Sequence, residues 1–281
     1  MAETSPTILA FGAAGHFAGL VIPELAKRGA KVRGFVFDPK QADTVRKHGA
    51  DEVAVGDLRD RESLDAALKG VDRVFYIAPA FLADEAAVGK SVVDAAIKAG
   101  VRRFVFSSVI HPVLSGLSNH AAKAPVEEAV LDSNLEYSFL HPTLFFQNYA
   151  EGWDKVLQTN VLAEPWSNDT KFSRVDYRDV AEVAAVALTE DRLLYGTFEL
   201  CAEGAHDRRQ VAGLIADVLG REITPKRIDP DTLGSEAKPM RPMFDHYEHF
   251  GLRGNALTLH AILGREPRTL RAYFEELAGR K

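Results

Sequence analysis

Short apolar runs alternate with amphipathic stretches along the first half of the chain. The runs have strand length, and the stretches between them repeat their apolar residues at helical spacing. The predicted strands cover residues 7–11, 32–38, 52–55, 73–77 and 103–107. The predicted helices cover residues 20–28, 39–48, 61–68 and 85–99. Strands and helices in this alternation predict a parallel, doubly wound α/β sheet.

A glycine-rich turn joins the first predicted strand to the first predicted helix. Gly12 permits a sharp turn out of the strand, and Gly15 lets the backbone approach a pyrophosphate at the helix N-terminus. A strand-to-helix turn also favours glycine for steric reasons alone. The next strand favours the ligand, because it ends at Asp38, about 20 residues past the loop, where a dinucleotide fold meets the adenosine ribose. We therefore predict a Rossmann-type sheet that binds a dinucleotide.

Asp38 has a second explanation that needs no ligand. It directly precedes Pro39, and an aspartate N-cap followed by proline in the first turn is a common start of a helix. The sequence leaves both roles open.

The regular alternation fades after about residue 142. The chain has 281 residues, 46% of them hydrophobic, so it can bury a large core without disulfides. We predict a dinucleotide-binding domain over residues 1–145, with segments at about 170–200 returning to it. Residues 146–281 are predicted to form a smaller α+β substrate lobe, partly interleaved with the first domain.

Composition narrows the classes of partner and compartment. A net charge of −6 and a pI near 5.9 argue against a broad nucleic-acid interface. Cys201 is the only cysteine, residues 1–6 lack the features of a signal peptide, and no apolar run has membrane-spanning length. We expect a cytoplasmic protein, a monomer or homodimer that binds a small-molecule substrate. The histidines lack a ligand set, so no metal is predicted.

Several short motifs between residues 7 and 220 occur together in one known family. They are the loop Gly12–Gly15, residues 56–58, Ser107–Ser108, residues 123–128, residues 137–142 with 146–148, and residues 175–181. In this combination the chain resembles the NmrA-like family of the atypical short-chain dehydrogenase/reductase superfamily. The resemblance implies a bound NADP or NAD.

The resemblance also implies which residues contact that dinucleotide. The glycine loop would hold the pyrophosphate, residues 57–58 the adenine, and residues 77–79 the nicotinamide half. The full predicted set is Gly12, Ala14, Gly15, His16, Phe17, Phe37, Asp38, Lys40, Asp57, Leu58, Ile77, Ala78, Pro79, Ser107, Lys123 and Pro142. The family usually has an arginine for the NADP 2′-phosphate at the position of Phe37, and this chain departs there. Asp38 would repel a phosphate. Arg33 and Lys40 would compensate for the missing arginine if they point inward. We therefore place NADP only slightly ahead of NAD as the predicted cofactor.

The candidate catalytic residues also depart from the superfamily pattern. Many of these reductases carry a Tyr-x-x-x-Lys pair one helical turn apart, and this chain has Asn119 and Lys123 at those positions. Lys123 is a candidate to hold the ribose and move a proton. His120 and His111 are candidate proton donors, and Ser108 is a candidate substrate-orienting hydroxyl. Each has an ordinary alternative: a surface lysine, a polar or capping histidine, and a hydroxyl that satisfies backbone groups.

Aromatic residues in the second half suggest a pocket above the nicotinamide. The predicted substrate contacts there are Phe146, Asn148, Trp166, Phe244 and Tyr247, with residues 238–244 as a loop over the cleft. The same aromatics would equally form ordinary core.

Three functions follow from these readings. The first is hydride transfer from NAD(P)H to a small carbonyl, quinone or activated alkene. The second, favoured by the missing tyrosine, is a non-catalytic redox sensor that binds the dinucleotide and a protein partner. An isomerase or lyase is a third possibility without a positive sequence sign.

Overall fold

The computed structural model describes residues 5–79 and 82–279; residues 1–4, which belong to the segment examined for a signal peptide, lie outside them. The strands are β1 (Thr7–Phe11), β2 (Lys31–Val36), β3 (Glu52–Val55), β4 (Arg73–Ile77), β5 (Arg103–Ser107), β6 (Glu136–Pro142), β7 (Leu144–Phe145), β8 (Val161–Glu164), β9 (Phe172–Val175), β10 (Gly196–Leu200), β11 (Ala205–His206) and β12 (Thr224–Arg227). The α-helices are α1 (Ala18–Lys27), α2 (Ala42–Lys47), α3 (Arg61–Leu68), α4 (Glu85–Lys98), α5 (Ser118–Ala121), α6 (Ala124–Leu131), α7 (Asn148–Thr159), α8 (Tyr177–Thr189), α9 (Arg208–Leu219), α10 (Arg241–His249), α11 (Leu257–Leu263) and α12 (Leu270–Gly279).

A seven-stranded sheet forms the centre of the first part of the chain. Its order is β10-β6-β5-β4-β1-β2-β3, and every neighbouring pair from β3 to β6 is parallel. The strand order reverses between β1 and β4, the point at which doubly wound sheets bind their ligands beyond the carboxyl ends of the strands. The predicted Rossmann-type α/β sheet is therefore confirmed.

Aromatic side chains fill the core beneath this sheet. Phe11 packs against Phe35 and Tyr76, with ring centroids 5.1 and 5.8 Å apart, and Tyr76 stacks on Phe106 at 5.5 Å. Aliphatic residues of α3, α4 and α6 complete the same cluster. Burial of this apolar surface fixes the position of each strand end, because close-packed interiors tolerate little displacement.

Two buried arginines hold the amino ends of the central strands. Arg103, fully buried at the start of β5, donates to the carbonyl of Ala187 at 3.0 Å, within the last turn of α8, and to that of Glu190 at 2.7 Å, just beyond it. Its guanidinium also pairs with Glu136 and Asp191. Arg73, at the start of β4, donates to the carbonyl of Leu188. The end of the sheet opposite the glycine loop is thus fixed by charge-assisted hydrogen bonds to unpaired helix-end carbonyls.

The chain divides into two compact units. Unit 1 comprises residues 1–113, 119–141 and 180–198, and unit 2 comprises residues 114–118, 142–179 and 199–281. Unit 2 contains the small sheets β11-β9-β7 and β12-β8. Its core includes Phe146, Trp153 and Phe274. Among the helices of the described residues, none combines the length and apolar character needed to cross a bilayer.

One sequence prediction in unit 2 is wrong. Residues 238–244 were expected to form a loop, but a 3₁₀ helix (Ser235–Met240) runs directly into α10. Pro242 lies in the first turn of α10, where the missing N–H removes no intrahelical bond, so the proline starts a helix rather than interrupting one. The last helix was expected over residues 267–277 and covers Leu270–Gly279 instead.

Candidate functional site

The glycine loop after β1 forms a tight backbone turn. Gly12 has φ +69°, and the N–H of Gly15 donates to the carbonyl of Gly12 at 2.7 Å. A Cβ at Gly15 would lie only 3.0 Å from that carbonyl oxygen. The loop therefore requires glycine at both positions, one for its backbone angle and one for space.

The loop leads into a helix start that no side chain caps. Phe17 is the N-cap of α1 and contributes no side-chain hydrogen bond there, whereas aspartates cap the 3₁₀ helix Pro39–Gln41 and α3. Ala14, Gly15, His16 and Phe17 all retain solvent exposure. A helix N-terminus approached through glycines suits a phosphate anion, because the helix dipole is positive at that end.

A third glycine, which sequence reasoning did not single out, positions this loop. A Cβ at Gly34 would lie 2.9 Å from Cβ of Ala13 and 2.4 Å from Cγ1 of Val45. Without that Cβ, the N–H of Ala13 reaches the carbonyl of Phe35 at 3.1 Å. The loop is thereby held against β2. The sequence signal was a lone glycine inside a strand, which marks close backbone approach.

Residues after β2 lie where the adenosine ribose was predicted. Phe37 is 74% exposed, and Lys40 is exposed as well. Asp38 does cap the following 3₁₀ helix, since its Oδ1 accepts from the N–H of Lys40 at 2.9 Å. Arg33 points away from this edge, because it binds Glu52 and the carbonyls of Ala67 and Lys69. Arg33 therefore does not compensate for the arginine absent at Phe37.

The loops after β3 and β4 are joined by an ion pair. Arg59, next to Asp57 and Leu58, makes a bidentate pair with Asp84, with both N–O distances at 2.8 Å. The guanidinium lowers the pKa of Asp84 below its usual range. Leu58 packs on the core cluster, and the Oδ1 of Asp57 accepts from the N–H of Arg59.

The carboxyl ends of β4 and β5 bring several predicted residues to one edge. Ile77 lies opposite Ser107 in the sheet register. A Cβ at Gly12 would lie 3.8 Å from Cγ2 of Ile77, so the glycine loop borders β4. Ala78 and Ser107 are buried, Pro79 is exposed, and Pro142 ends β6. The structure thus gathers Gly12, Ile77, Ala78, Pro79 and Ser107, all in unit 1, along the carboxyl edge, whereas Pro142 is the first residue of the next segment of unit 2.

Lys123 is buried rather than exposed. It is 8% exposed, and its Nζ donates to the carboxylate of Glu85, which is 2% exposed at the first turn of α4. The surface-lysine alternative is therefore wrong. Glu85 was missed in the sequence, where an acidic residue in a first helical turn suggests only an interaction with the helix dipole.

Asn119 and Lys123 do not share one helix. α5 ends at Ala121, Lys123 is the N-cap of α6, and the N–H of Lys123 donates to the carbonyl of His120 at 3.0 Å in a tight turn. Pro125, which has no N–H, lies in the first turn of the new helix, which begins at Ala124. The residues from Asn119 to Lys123 therefore do not form one turn of a continuous helix, as a Tyr-x-x-x-Lys pair would.

The two candidate histidines are linked. Nδ1 of His120 lies 3.1 Å from the carbonyl oxygen of His111, and His111 has a left-handed φ of +53°. Because a carbonyl only accepts, His120 carries a proton on Nδ1, and it donates from Nε2 only when doubly protonated. His120 is fully buried and His111 half-buried.

A second buried polar network surrounds Ser108. Its Oγ donates to Oε1 of Glu127 at 2.5 Å, and Nε2 of His141 lies 2.8 Å from the same oxygen. Sequence reasoning missed Glu127 and His141 as site residues, although both lie inside motifs that carried the family resemblance. Tyr76 was also missed: its buried hydroxyl has no hydrogen-bond partner among the described residues. Burial, with Glu85 nearby, raises the pKa of that hydroxyl, which makes it a poor proton donor.

The predicted substrate residues of unit 2 fall into separate groups. Trp166, Phe244 and Tyr247 pack together, with Tyr247 only 1% exposed and 5.3 Å from Trp166 between ring centroids. Phe146 lies in the other aromatic cluster, against Tyr273, and Asn148 is exposed at the start of α7. Burial raises the pKa of Tyr247. Within residues 5–79 and 82–279, no three His, Cys, Asp or Glu side chains are grouped to hold a metal ion.

The sheet order and the glycine loop at its reversal point define a Rossmann-type dinucleotide-fold protein. The model of the NmrA-like family matches residues 4–275, and the chain belongs to this family. An NAD(P)H azoreductase from Xenophilus azovorans is 28% identical over 225 residues, covering 77% of this chain and 75% of that protein.

Solved structures share the fold over nearly the whole chain. An NADPH-dependent quinone oxidoreductase from Escherichia coli, complexed with NADPH, has a TM-score of 0.86 at 22% identity, covering 97% of this chain and 99% of that one. A triphenylmethane reductase from Citrobacter has a TM-score of 0.87 at 20% identity, with 97% and 99% coverage. These likenesses confirm the fold.

Proposed function

We propose that the protein is an NAD(P)H-dependent oxidoreductase. The observation that carries the proposal is the glycine loop at the reversal point of the sheet, which ends in an α-helix start without a side-chain cap. A Cβ at Gly15 would fill the space next to the loop carbonyl, as expected of a cradle for a pyrophosphate. The space that this loop leaves beside the helix N-terminus therefore fits the pyrophosphate of a dinucleotide.

When bound, the reduced nicotinamide supplies the hydride. In our proposal Gly12, Ala14, Gly15, His16 and Phe17 hold the pyrophosphate. The ribose and adenine lie against Phe37, Asp38, Lys40, Asp57 and Leu58, and the nicotinamide half lies against Ile77, Ala78, Pro79, Ser107, Lys123 and Pro142. Lys123 and this edge of the sheet both belong to unit 1. Because Lys123 is buried and paired with Glu85, its ammonium group is held in a fixed position.

We propose a small quinone, carbonyl or activated alkene as the substrate, in the cytoplasm. The relatives support an acceptor of this kind, because their names describe azo, quinone and triphenylmethane reductases. Ser108, Phe146, Asn148, Trp166, Phe244 and Tyr247 are the proposed contacts with the substrate. NADP stays slightly ahead of NAD because the E. coli and Citrobacter relatives were crystallised with NADPH or NADP(H).

A non-catalytic redox sensor is the second candidate. Asn119 stands where the reductase pattern has tyrosine, and Asn119 and Lys123 belong to two separate helices rather than to one. A sensor binds the dinucleotide but consumes none of it, and its affinity for a protein partner changes with the ratio of oxidised to reduced cofactor.

One experiment distinguishes these functions. The purified protein is titrated with NADH and NADPH by quenching of Trp153 and Trp166 fluorescence and by calorimetry, then assayed with quinones, enones, aldehydes and imines. We expect a Kd well below millimolar, since a formed site should do better than about −4 kcal/mol. Tight binding without turnover of any substrate would favour the sensor, and millimolar binding would overturn both.

Asp38 provides a test of cofactor choice. Asp38→Asn keeps an N-cap acceptor and removes the negative charge that faces a 2′-phosphate. Because one charge near a phosphate at the surface is worth on the order of 1–4 kcal/mol, we expect NADPH affinity to rise about tenfold while NADH affinity changes little. Asp43→Asn, at an exposed aspartate on α2, is the control. Unchanged NADPH affinity in Asp38→Asn would leave Asp38 as a helix cap alone.

A further inference from the structure

Two buried side chains from different elements, Ser108 and His141, share one carboxylate oxygen of Glu127, whose side chain is 14% exposed. Ser108 follows β5, Glu127 lies on α6, and His141 lies near the end of β6. Ser108 Oγ and His141 Nε2 both reach Oε1 of Glu127, at 2.5 and 2.8 Å. Ser108 and His141 are 6% and 7% exposed. All three belong to unit 1.

The network lies at the ligand-binding edge of the sheet. Ile77, Ser107 and Leu140 form one row across β4, β5 and β6 in the sheet register. Ser108 and His141 are each one residue beyond that row, at the carboxyl ends of their strands. The N–H of Ser108 also donates to the carbonyl of Leu140 at 2.9 Å, which fixes the serine backbone at this edge.

Packing alone does not account for a carboxylate at this position. An apolar side chain of similar size would join α6 to the sheet without the cost of removing a charge from water. The hydroxyl of Ser108 rotates about its Cβ–Oγ bond, so the same O–H can donate to Glu127 in one orientation and to a substrate oxygen in another. The other candidate donors in unit 1 have partners of their own, since Lys123 is paired with Glu85 and His120 Nδ1 with the carbonyl of His111.

We propose that Ser108 delivers the proton to the substrate oxygen, and that Glu127 and His141 are positioning residues that resupply it. This inference rests on the proposed reductase function. The reduced nicotinamide, when bound, would supply the hydride; its electron pair would form the new C–H bond, and the π electron pair of the substrate C=O bond would move onto the substrate oxygen. The O–H bond of Ser108 breaks as that oxygen takes the proton. Glu127 Oε1 takes a proton from the imidazolium of His141, which becomes neutral, and passes that proton to Ser108 Oγ, so that Glu127 ends as a carboxylate again.

Other charged groups close to this network belong to a separate pair. α6 packs against α4, where Glu85 faces Lys123, and the N–H of Glu127 donates to the backbone carbonyl of Lys123. In the proposed relay, His141 is the group that supplies the proton to Glu127.

Four variants test the relay in the full-length protein with NADPH or NADH and a quinone. They are Ser108→Ala, Ser108→Thr, Glu127→Gln and His141→Gln. We expect Ser108→Ala and Glu127→Gln to lower kcat by about 10²–10⁴ with dinucleotide Kd unchanged, as for a lost acid–base group. Ser108→Thr should recover most of kcat because it retains a hydroxyl. His141→Gln should also lower kcat with dinucleotide Kd unchanged, because it removes the group that resupplies the proton.

The control is Glu128→Gln, which changes an exposed glutamate beside Glu127 on α6. Thermal melting of every variant verifies folding. Wild-type kcat in Ser108→Ala and Glu127→Gln would overturn the relay while leaving the reductase function intact. A rise in dinucleotide Kd with kcat unchanged would mean that the network is only structural. A wild-type protein that binds dinucleotide but reduces no substrate would overturn both the function and the relay.

Discussion

Lys123→Met should lower quinone turnover by about 10²–10⁴ and also destabilise the fold by about 3–5 kcal/mol. The first effect is expected if Lys123 orients the ribose and assists proton transfer. The second follows from burial, because the substitution leaves the carboxylate of Glu85 without its counter-charge in a nearly dry position. Steady-state kinetics and urea unfolding measure the two effects separately.

A double variant separates catalysis from stability. Glu85→Leu combined with Lys123→Met replaces the buried ion pair by apolar side chains, and such replacements are often neutral or stabilising. We therefore expect the double variant to recover the free energy of unfolding but not kcat. Lys90→Met, at an exposed lysine of α4, is the control and should change neither. Full recovery of turnover in the double variant would show that Lys123 acts only through stability.

Gly15→Asp should abolish dinucleotide binding. Its Cβ would press against the carbonyl of Gly12, and its carboxylate would occupy the position of the pyrophosphate with the same sign of charge. Gly15→Ala introduces only the steric part, so we expect an intermediate loss of affinity. Calorimetric titration with NADH and NADPH gives the comparison.

Gly152→Asp is the matched control for this prediction. Gly152 is exposed on α7, where an added Cβ would have no atom within 4 Å. That variant should bind dinucleotide as the wild type does. Equal affinities for Gly15→Asp and wild type would mean that the loop after β1 does not hold a pyrophosphate.

The sheet was predictable from sequence because its signals are local. Each strand is a short apolar run, each helix has apolar residues at helical spacing, and Gly12 and Gly15 mark the loop within a few residues of β1. The capping role of Asp38 was equally local, since it needs only Pro39 and the next turn. Such features depend on neighbours in the chain.

The buried polar pairs were not predictable because their partners are distant in sequence. Glu85 and Lys123 are separated by 38 positions, and Ser108 and Glu127 by 19. Each residue alone has an ordinary surface explanation, and only the packing of α4, α6 and the sheet brings the partners together. The error at residues 238–244 has another cause: two prolines suggested a loop, although proline in a first helical turn is compatible with a helix.

The two ends of the central sheet differ in how they should tolerate mutation. Arg73 and Arg103 anchor the amino end through hydrogen bonds to main-chain carbonyls, so a substitution there removes protein from the folded pool whatever the substrate. The carboxyl end carries the glycine loop and the residues around Ser108, whose side chains can change while that anchor remains. Variation in substrate choice among descendants of this chain should accumulate at the carboxyl end, while selection at the amino end acts on abundance.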